Sequence, residues 1–490
     1  MIDYLDKHLR KLTEKQALIV LVCLALLVLV LPTLIRLFFF DGIMVGSESY
    51  YHLRMTSLLQ NQESISVDPL LSGNRYYLLN PYHYFLAFFG TFVSLEVLSV
   101  VFPVLFGLGT VILFYFTLKE FIKNLQTRFL IVLFFVLSPI FVYVFSHQQS
   151  TTFFLSLSVL GFFFFTRKGK WPVIGAILLA FMPFFGILHT LFVLTLISIY
   201  VSTHRKKIVY LFVYFFLLAI VIGIVLNNYN ILFFQRSFFQ NLGIIEQTFS
   251  DLGSWYGFSL FLLILSSIGL IKSWVKKYDH VLMYLLILIA FIFSSFFDLT
   301  YNIYSNFFLC IYAGFGFISL WRMKWGLSQL KKMSLFLLIL GLLFSATSTI
   351  SRVSHYGPSD EMLMSLEWMN ENLPEEGVIV TSPEYAYWVH YYAQKKTLVD
   401  PEFSQTLRGR AILKDMNVLF DIRRENKAMQ FIDKYKIQYF LITPEMKESL
   451  VWQREDQGLL FLLENSENFK KLYQDQGIEV WQVLELKSSQ

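Results

Sequence analysis

"QALIVLVCLALLVLVLPTLIRLFFF", Gln16 to Phe40, decides the class of this chain. The run holds 25 residues with one charge, Arg36, close to its end. At about 1.5 Å per helical residue such a run crosses the roughly 30 Å hydrocarbon core of a bilayer. It is too long for the apolar core of a signal peptide, and no small-residue cleavage site follows it. It reads as a retained membrane span.

Working outward, the same pattern recurs. Hydrophobic residues make up 56% of the 490-residue chain and charged residues 15%, where soluble domains run near a quarter charged. Apolar runs between polar breaks predict eleven spans: 16–40, 97–118, 129–146, 150–166, 172–187, 189–203, 208–226, 257–273, 280–297, 303–321 and 333–350. Residues 81–95 read as a further span or as a helix lying in the interface. Two cysteines, Cys23 and Cys310, both in apolar runs, exclude a disulfide framework and a thiolate metal site.

Charge divides the chain near residue 350. Lys+Arg number 24 against 13 Asp+Glu before Ser351, and 16 against 22 from Ser351 onward. A basic membrane part (1–350) thus precedes an acidic soluble part (351–490). The basic clusters, from Lys7/Arg10/Lys11/Lys15 to Arg322/Lys324/Lys331/Lys332, all fall between alternate spans. The positive-inside rule then puts the N-terminus in the cytoplasm. An odd number of spans puts the C-terminal part outside. The basic balance is therefore a topology signal, and it does not point to nucleic acid. A transporter is disfavoured, because Arg36 is nearly the only ionisable group within a span.

The outer side is acidic: Asp41, Glu48, Glu63, Asp68, Glu246, Asp251 and Asp298. Glu48 stands in "GSESYYHLRM", Gly46 to Met55, inside a long first outer loop (41–80) that also carries "RYYLLNPYHYF", Arg75 to Phe85. Long loops in compact proteins tend to be functional. Asp41, Glu48, His52 and His83 are hard-cation ligand types or acid–base candidates. "FSHQQSTTFF" (Phe145 to Phe154) brings His147, Gln148 and Gln149 to a span end, where Ser150 or Thr151 could equally be a helix cap. The outer loop 227–256 carries Glu246 within "GIIEQTF", an acid that is costly unless it is paired or binds something.

The soluble part reads as α/β. "DEMLMSLEWMNENLP" (Asp360 to Pro374) is helical and stops at its proline. "GVIVTSP", "IQYFLITP" and "IEVWQVLEL" read as strands. No dinucleotide glycine fingerprint, P-loop or nucleophile elbow is present.

In this order the motifs resemble the catalytic subunit of oligosaccharyltransferases, archaeal type and divergent, within the GT-C membrane glycosyltransferases that use polyprenyl-phosphate sugars. "GSESYYHLR" resembles the family's first acidic motif, with Glu48 in the Asp position and Ser49 where Pro is common. "SHQQ" stands at the second motif without a carboxylate. Glu246 falls where a later loop carries a glutamate. Ser305 or Asn306 stands where an arginine meets the lipid donor. "SPEYAYW" (Ser382 to Trp388) aligns with the Trp-Trp-Asp motif that opens the outer domain, and keeps Glu384, Tyr385, Tyr387 and Trp388. "ENKAMQFIDKYKIQYFLIT" (Glu425 to Thr443) resembles the family's helix-then-strand unit.

The resemblance implies a polytopic α-helical membrane protein of about 11–13 spans, GT-C-like, with a C-terminal extracytoplasmic α/β domain. It implies transfer of a glycan from a polyprenyl (di)phosphate donor to protein Asn by a single-subunit cell-membrane enzyme. A different acceptor, lipid or cell-surface glycan, is the alternative, and a catalytically inactive relative is the third reading. By the same resemblance Glu48 and Glu246 are catalytic. Glu48, His147 and Gln149 ligate Mn²⁺ or Mg²⁺. Arg54, Arg75, Arg236 and His52 bind the donor phosphate. Glu384, Tyr385, Tyr387 and Trp388 bind the acceptor polypeptide.

Overall fold

A computed structural model describes residues 12–40, 42–61, 67–72, 80–228, 248–276, 286–290, 292, 299–454 and 457–484. Its first part is a helical bundle: α1 (Glu14–Phe39), α2 (Ser47–Gln60), α3 (Pro81–Gly90), α4 (Leu95–Phe121), α5 (Leu125–Val136), α6 (Pro139–Ser146), α7 (Ser150–Thr166), α8 (Trp171–Ala180), α9 (Ile187–Thr203), α10 (Ile208–Asn228), α11 (Leu260–Lys276), α12 (Asn302–Arg322) and α13 (Ser328–Ser354). Helices stand at ten of the eleven expected spans. The remaining one, 280–297, lies almost wholly outside the described residues. Residues 81–90 form α3, whose ten residues are too few to cross.

By length and composition, four described helices can each span: α1, α4, the Leu299–Arg322 helix that contains α12, and α13. A fifth span is the pair α5 and α6, bent by 59° at its break. The bend has a local cause. Pro139 at the start of α6 cannot donate to the turn before it, and the Ser138 hydroxyl caps the new helix through the Phe141 N–H. Asn306 of α12 donates to the Ser138 hydroxyl at 2.8 Å. The residue that stands in place of the family's arginine is thus committed to the break in this span.

The chain then leaves α13 for an α/β domain: α14 (Asp360–Asn372), α15 (Leu407–Asp421), α16 (Glu425–Tyr435), α17 (Gly458–Asn465) and the strands β1 (Val378–Val380), β2 (Lys396–Thr397), β3 (Ile437–Ile442), β4 (Phe469–Asp475) and β5 (Ile478–Val483). The sheet order is β2-β1-β3-β5-β4, parallel across β2, β1 and β3 and antiparallel across β3, β5 and β4. The three expected strands are β1, β3 and β5. β2 has two residues, and β4 reads "FKKLYQD", so neither carries an apolar run.

Two contacts tie bundle to domain. Arg36, fully buried at the end of α1, donates from Nε to Gly42 O, from Nη1 to Ser354 O and from Nη2 to Pro358 O, at 2.7, 3.1 and 3.0 Å. The first loop also adds to the sheet: Thr397 N–H donates to Leu70 O and Ser72 N–H to Thr397 O, each at 3.0 Å. The α2 residues Tyr50, Tyr51, Leu53 and Met55 belong to the apolar core of the domain, while α1, α4 and α12 build that of the bundle. The loop helix is therefore part of the domain's packing. We call the bundle end that carries the domain the domain face.

Candidate active site on the domain face

The site is built where α2, the α6–α7 turn, residues 250–258 and the end of α13 meet. Gly46 precedes α2 with φ +80°, and a Cβ there would come within 2.5 Å of the His147 ring. Its missing side chain lets α2 start against His147. Ser49 then holds the turn: its hydroxyl donates to Val45 O at 2.6 Å and accepts from Gln148 N–H at 3.1 Å. Glu48 lies half-buried in the first turn of α2.

The α7 N-terminus has Gln149 at its cap position, with no side-chain cap of its own. Ser150 and Thr151 are already helical. An imidazole does the capping instead: Ser150 N–H donates to His52 Nε2 at 3.2 Å. With that nitrogen accepting, a neutral His52 carries its proton on Nδ1 and donates it to His83 Nε2 at 2.7 Å. Burial, and then the nearby His147, lower the His52 pKa to about 3. His52 is thus a neutral positioning group.

Around Glu48 stands an aromatic wall. Tyr143 stacks on Trp255 at 4.9 Å, and Trp255 lies 5.0 Å from Tyr356. His147 packs on Tyr143 at 4.7 Å. The Tyr356 hydroxyl bonds that of Ser47 at 3.0 Å, and Gly46 N–H donates to Tyr356 O. Burial first, then the charges of Glu48 and Glu384, push the Tyr356 phenol up to about 12. Both carboxylates therefore act on one phenol, which joins the first-loop motif to "SPEYAYW".

Two of the three expected cation ligands suit a metal. His147 is neutral, with a pKa lowered to about 4 by burial, and neither ring nitrogen has a hydrogen-bond partner; Glu48 lies beside the same rings. Gln149 does not suit it. Its Oε1 accepts from Tyr256 and its Nε2 donates to Val144 O. No group of three His, Cys, Asp or Glu side chains gathers among the described residues.

Of the donor-phosphate candidates, Arg54 makes a buried two-pronged ion pair with Asp68 at 2.9 and 2.6 Å, so its fork is occupied. Arg75, Arg236 and the catalytic candidate Glu246 lie outside the described residues, as do Asp41, Glu63 and Asp298. Of the acceptor candidates, Glu384 is exposed. Tyr385 donates to Glu445 at 3.2 Å. Tyr387 stacks on Tyr51 of α2 at 5.1 Å, and Trp388 is buried in the domain. The structure thus uses three of these four residues for packing within the domain and against α2.

Sequence reasoning missed Tyr143, Trp255, Tyr256, Tyr356 and Arg352. The available signal was Arg352 itself, a cation at the acidic end of the last span.

Below the site an apolar cavity of about 480 Å³ runs from Tyr304 towards the opposite face, between α4, α7, α9 and α12. Phe114, Leu155, Phe162, Val193 and Phe308 line it.

No protein-family model matches the chain, and no curated protein matches it in sequence. Solved structures do. The apo oligosaccharyltransferase of Archaeoglobus fulgidus superposes with a TM-score of 0.61 at 14% identity, over 89% of this chain and 70% of that one. The same organism's AglB, in complex with an inhibitory peptide and a dolichol-phosphate, gives 0.57 at 12% over 88% and 69%. ArnT of Cupriavidus metallidurans bound to undecaprenyl phosphate gives 0.52 at 12% over 96% and 98%. The chain is a multi-pass membrane protein with the GT-C fold. Within that fold it is similar to the archaeal oligosaccharyltransferase and to ArnT.

Proposed function

We propose that the chain is a membrane glycosyltransferase that takes a sugar or oligosaccharide from a polyprenyl (di)phosphate and transfers it, on the outer side of the membrane, to a polypeptide asparagine. The observation that carries this reading is the meeting of Glu48, His147, Tyr356 and Glu384 at the junction of bundle and domain, on a fold shared with proteins solved with polyprenyl phosphates and a peptide.

The Glu48 carboxylate accepts a hydrogen bond from the acceptor's nucleophile and orients it towards the anomeric carbon. The lipid phosphate departs as an anion and needs positive charge or donors beside it. A divalent cation, Mn²⁺ or Mg²⁺, would be held by Glu48 and His147 and would supply such charge. The apolar cavity takes part of the polyprenyl chain, with the phosphate at the domain face.

A second reading keeps the donor and changes the acceptor to a lipid or cell-surface glycan. It is favoured by Tyr387 and Trp388, which pack inward. Purified protein, a lipid-linked oligosaccharide and an Asn-X-Ser/Thr peptide, with and without Mn²⁺, test the first reading. Glu48→Gln should lower turnover by about a hundredfold or more. Unchanged turnover in that variant would remove Glu48 from the site. Sugar appearing on lipid or glycan while the peptide stays bare would select the second reading.

A further inference from the structure

The arginines of the domain face are differently committed. The Arg36 nitrogens all donate to backbone carbonyls, and the Arg54 fork is filled by Asp68. Arg352 is not spoken for in this way. It stands in the last turn of α13, half-buried, with its guanidinium 5.2 Å from the centre of the Trp255 ring. Nη2 makes one long contact, 3.4 Å, to Thr349 Oγ1. Nη1 is buried and has no hydrogen-bond partner. Asp251 lies near enough to act on it electrostatically, but that carboxylate is bonded by Ser345 and by Leu260 N–H.

A guanidinium carries five in-plane donors and stacks through its face. Here Trp255 takes a face, while most of the in-plane edge lacks an acceptor. Burying cationic donors without acceptors is costly, and a phosphate oxygen is the acceptor that matches this fork. Depth gives the second argument. A polyprenyl phosphate keeps its chain in hydrocarbon and its phosphate at the membrane boundary, the level at which α13 ends. The stack Trp255–Tyr143–His147 links Arg352 to the neighbourhood of Glu48.

We propose that Arg352 binds the phosphate of the lipid-linked donor, held flat by Trp255, in the role for which α12 offers only Ser305 and Asn306. This rests on the reading of the chain as a polyprenyl-phosphate-dependent transferase.

The test measures binding of polyprenyl phosphate, and of polyprenol as its phosphate-free control, to the purified full-length protein in detergent, alongside turnover. Arg352→Gln should weaken polyprenyl phosphate binding at least about tenfold, the loss expected for a charge-assisted hydrogen bond, and leave polyprenol binding unchanged. Arg352→Lys should recover part of the loss, and the donor KM should rise more than the acceptor KM. Wild-type phosphate binding in Arg352→Gln overturns the proposal. So does an equal loss of polyprenol, which marks a structural defect, or a rise in acceptor KM alone. Wild-type protein that neither binds polyprenyl phosphate nor transfers sugar overturns the functional reading and this proposal together. That outcome is distinct from a working wild type that is indifferent to Arg352.

Discussion

At the scale of residues, one imidazole holds the site in register. His52 accepts from the first N–H of α7 and donates to His83, and it can do both only while neutral. Its folded pKa, about 3, lies below the ordinary value of 6.5. The unfolded chain therefore takes up the proton first as the medium is acidified. The sign follows: full stability above about pH 6.5, progressive loss as pH falls towards 3. Thermal unfolding across that window should show a falling midpoint, and His52→Gln, which keeps an acceptor but does not titrate, should flatten the slope. An unchanged slope would mean that another group sets it. Glu48 was legible in the sequence because an acid beside a span stands out. Arg352 and Trp255 were not legible as partners, because roughly a hundred residues separate them and only the fold stacks one on the other.

At the scale of elements, α11 and α12 cross at a contact made by glycines. A Cβ on Gly269 would collide with Tyr312 O, and one on Gly316 with Leu265 O. Small residues that let backbones touch are a common basis of helix pairing in lipid. Gly316→Val should push α12 from α11 and lower the unfolding midpoint in detergent, by an amount typical of overpacking, about 1–3 kcal/mol. An unchanged midpoint would show that this pair tolerates separation. The helices themselves could be read from apolar runs, since lipid forces nearly every backbone group into them. The 59° break was harder to see, because its proline lies inside an unbroken apolar stretch, 129–146. β2 and β4 escaped for the opposite reason: one is two residues long, and the other alternates charges with its apolar positions.

At the scale of the whole molecule, the first loop is shared property. Its helix packs in the domain's core, its residues 70–72 pair with the sheet edge at Thr397, and its first turn carries Glu48. Substitutions on either side should therefore loosen both. Tyr51→Ala should cost about 3 kcal/mol and speed hydrogen exchange in residues 47–60 and 383–393 together. Faster exchange in only one of the two segments would break the idea that they move as a unit. The same sharing explains why "SPEYAYW" could be matched to a motif by sequence and yet serve packing. A pattern of aromatics does not reveal which way each ring points.

The Arg36 clasp carries a consequence for biogenesis. Its carbonyl partners Ser354 and Pro358 lie 318 and 322 residues further along the chain. At the usual speed of synthesis that separation is on the order of half a minute. During that interval α1 sits in the bilayer with a guanidinium whose final acceptors do not yet exist. The nascent chain must shelter that charge in water, on lipid headgroups or on the insertion machinery. The arginine near the start of the chain thus acts as a late latch, closing only once the last span has been made.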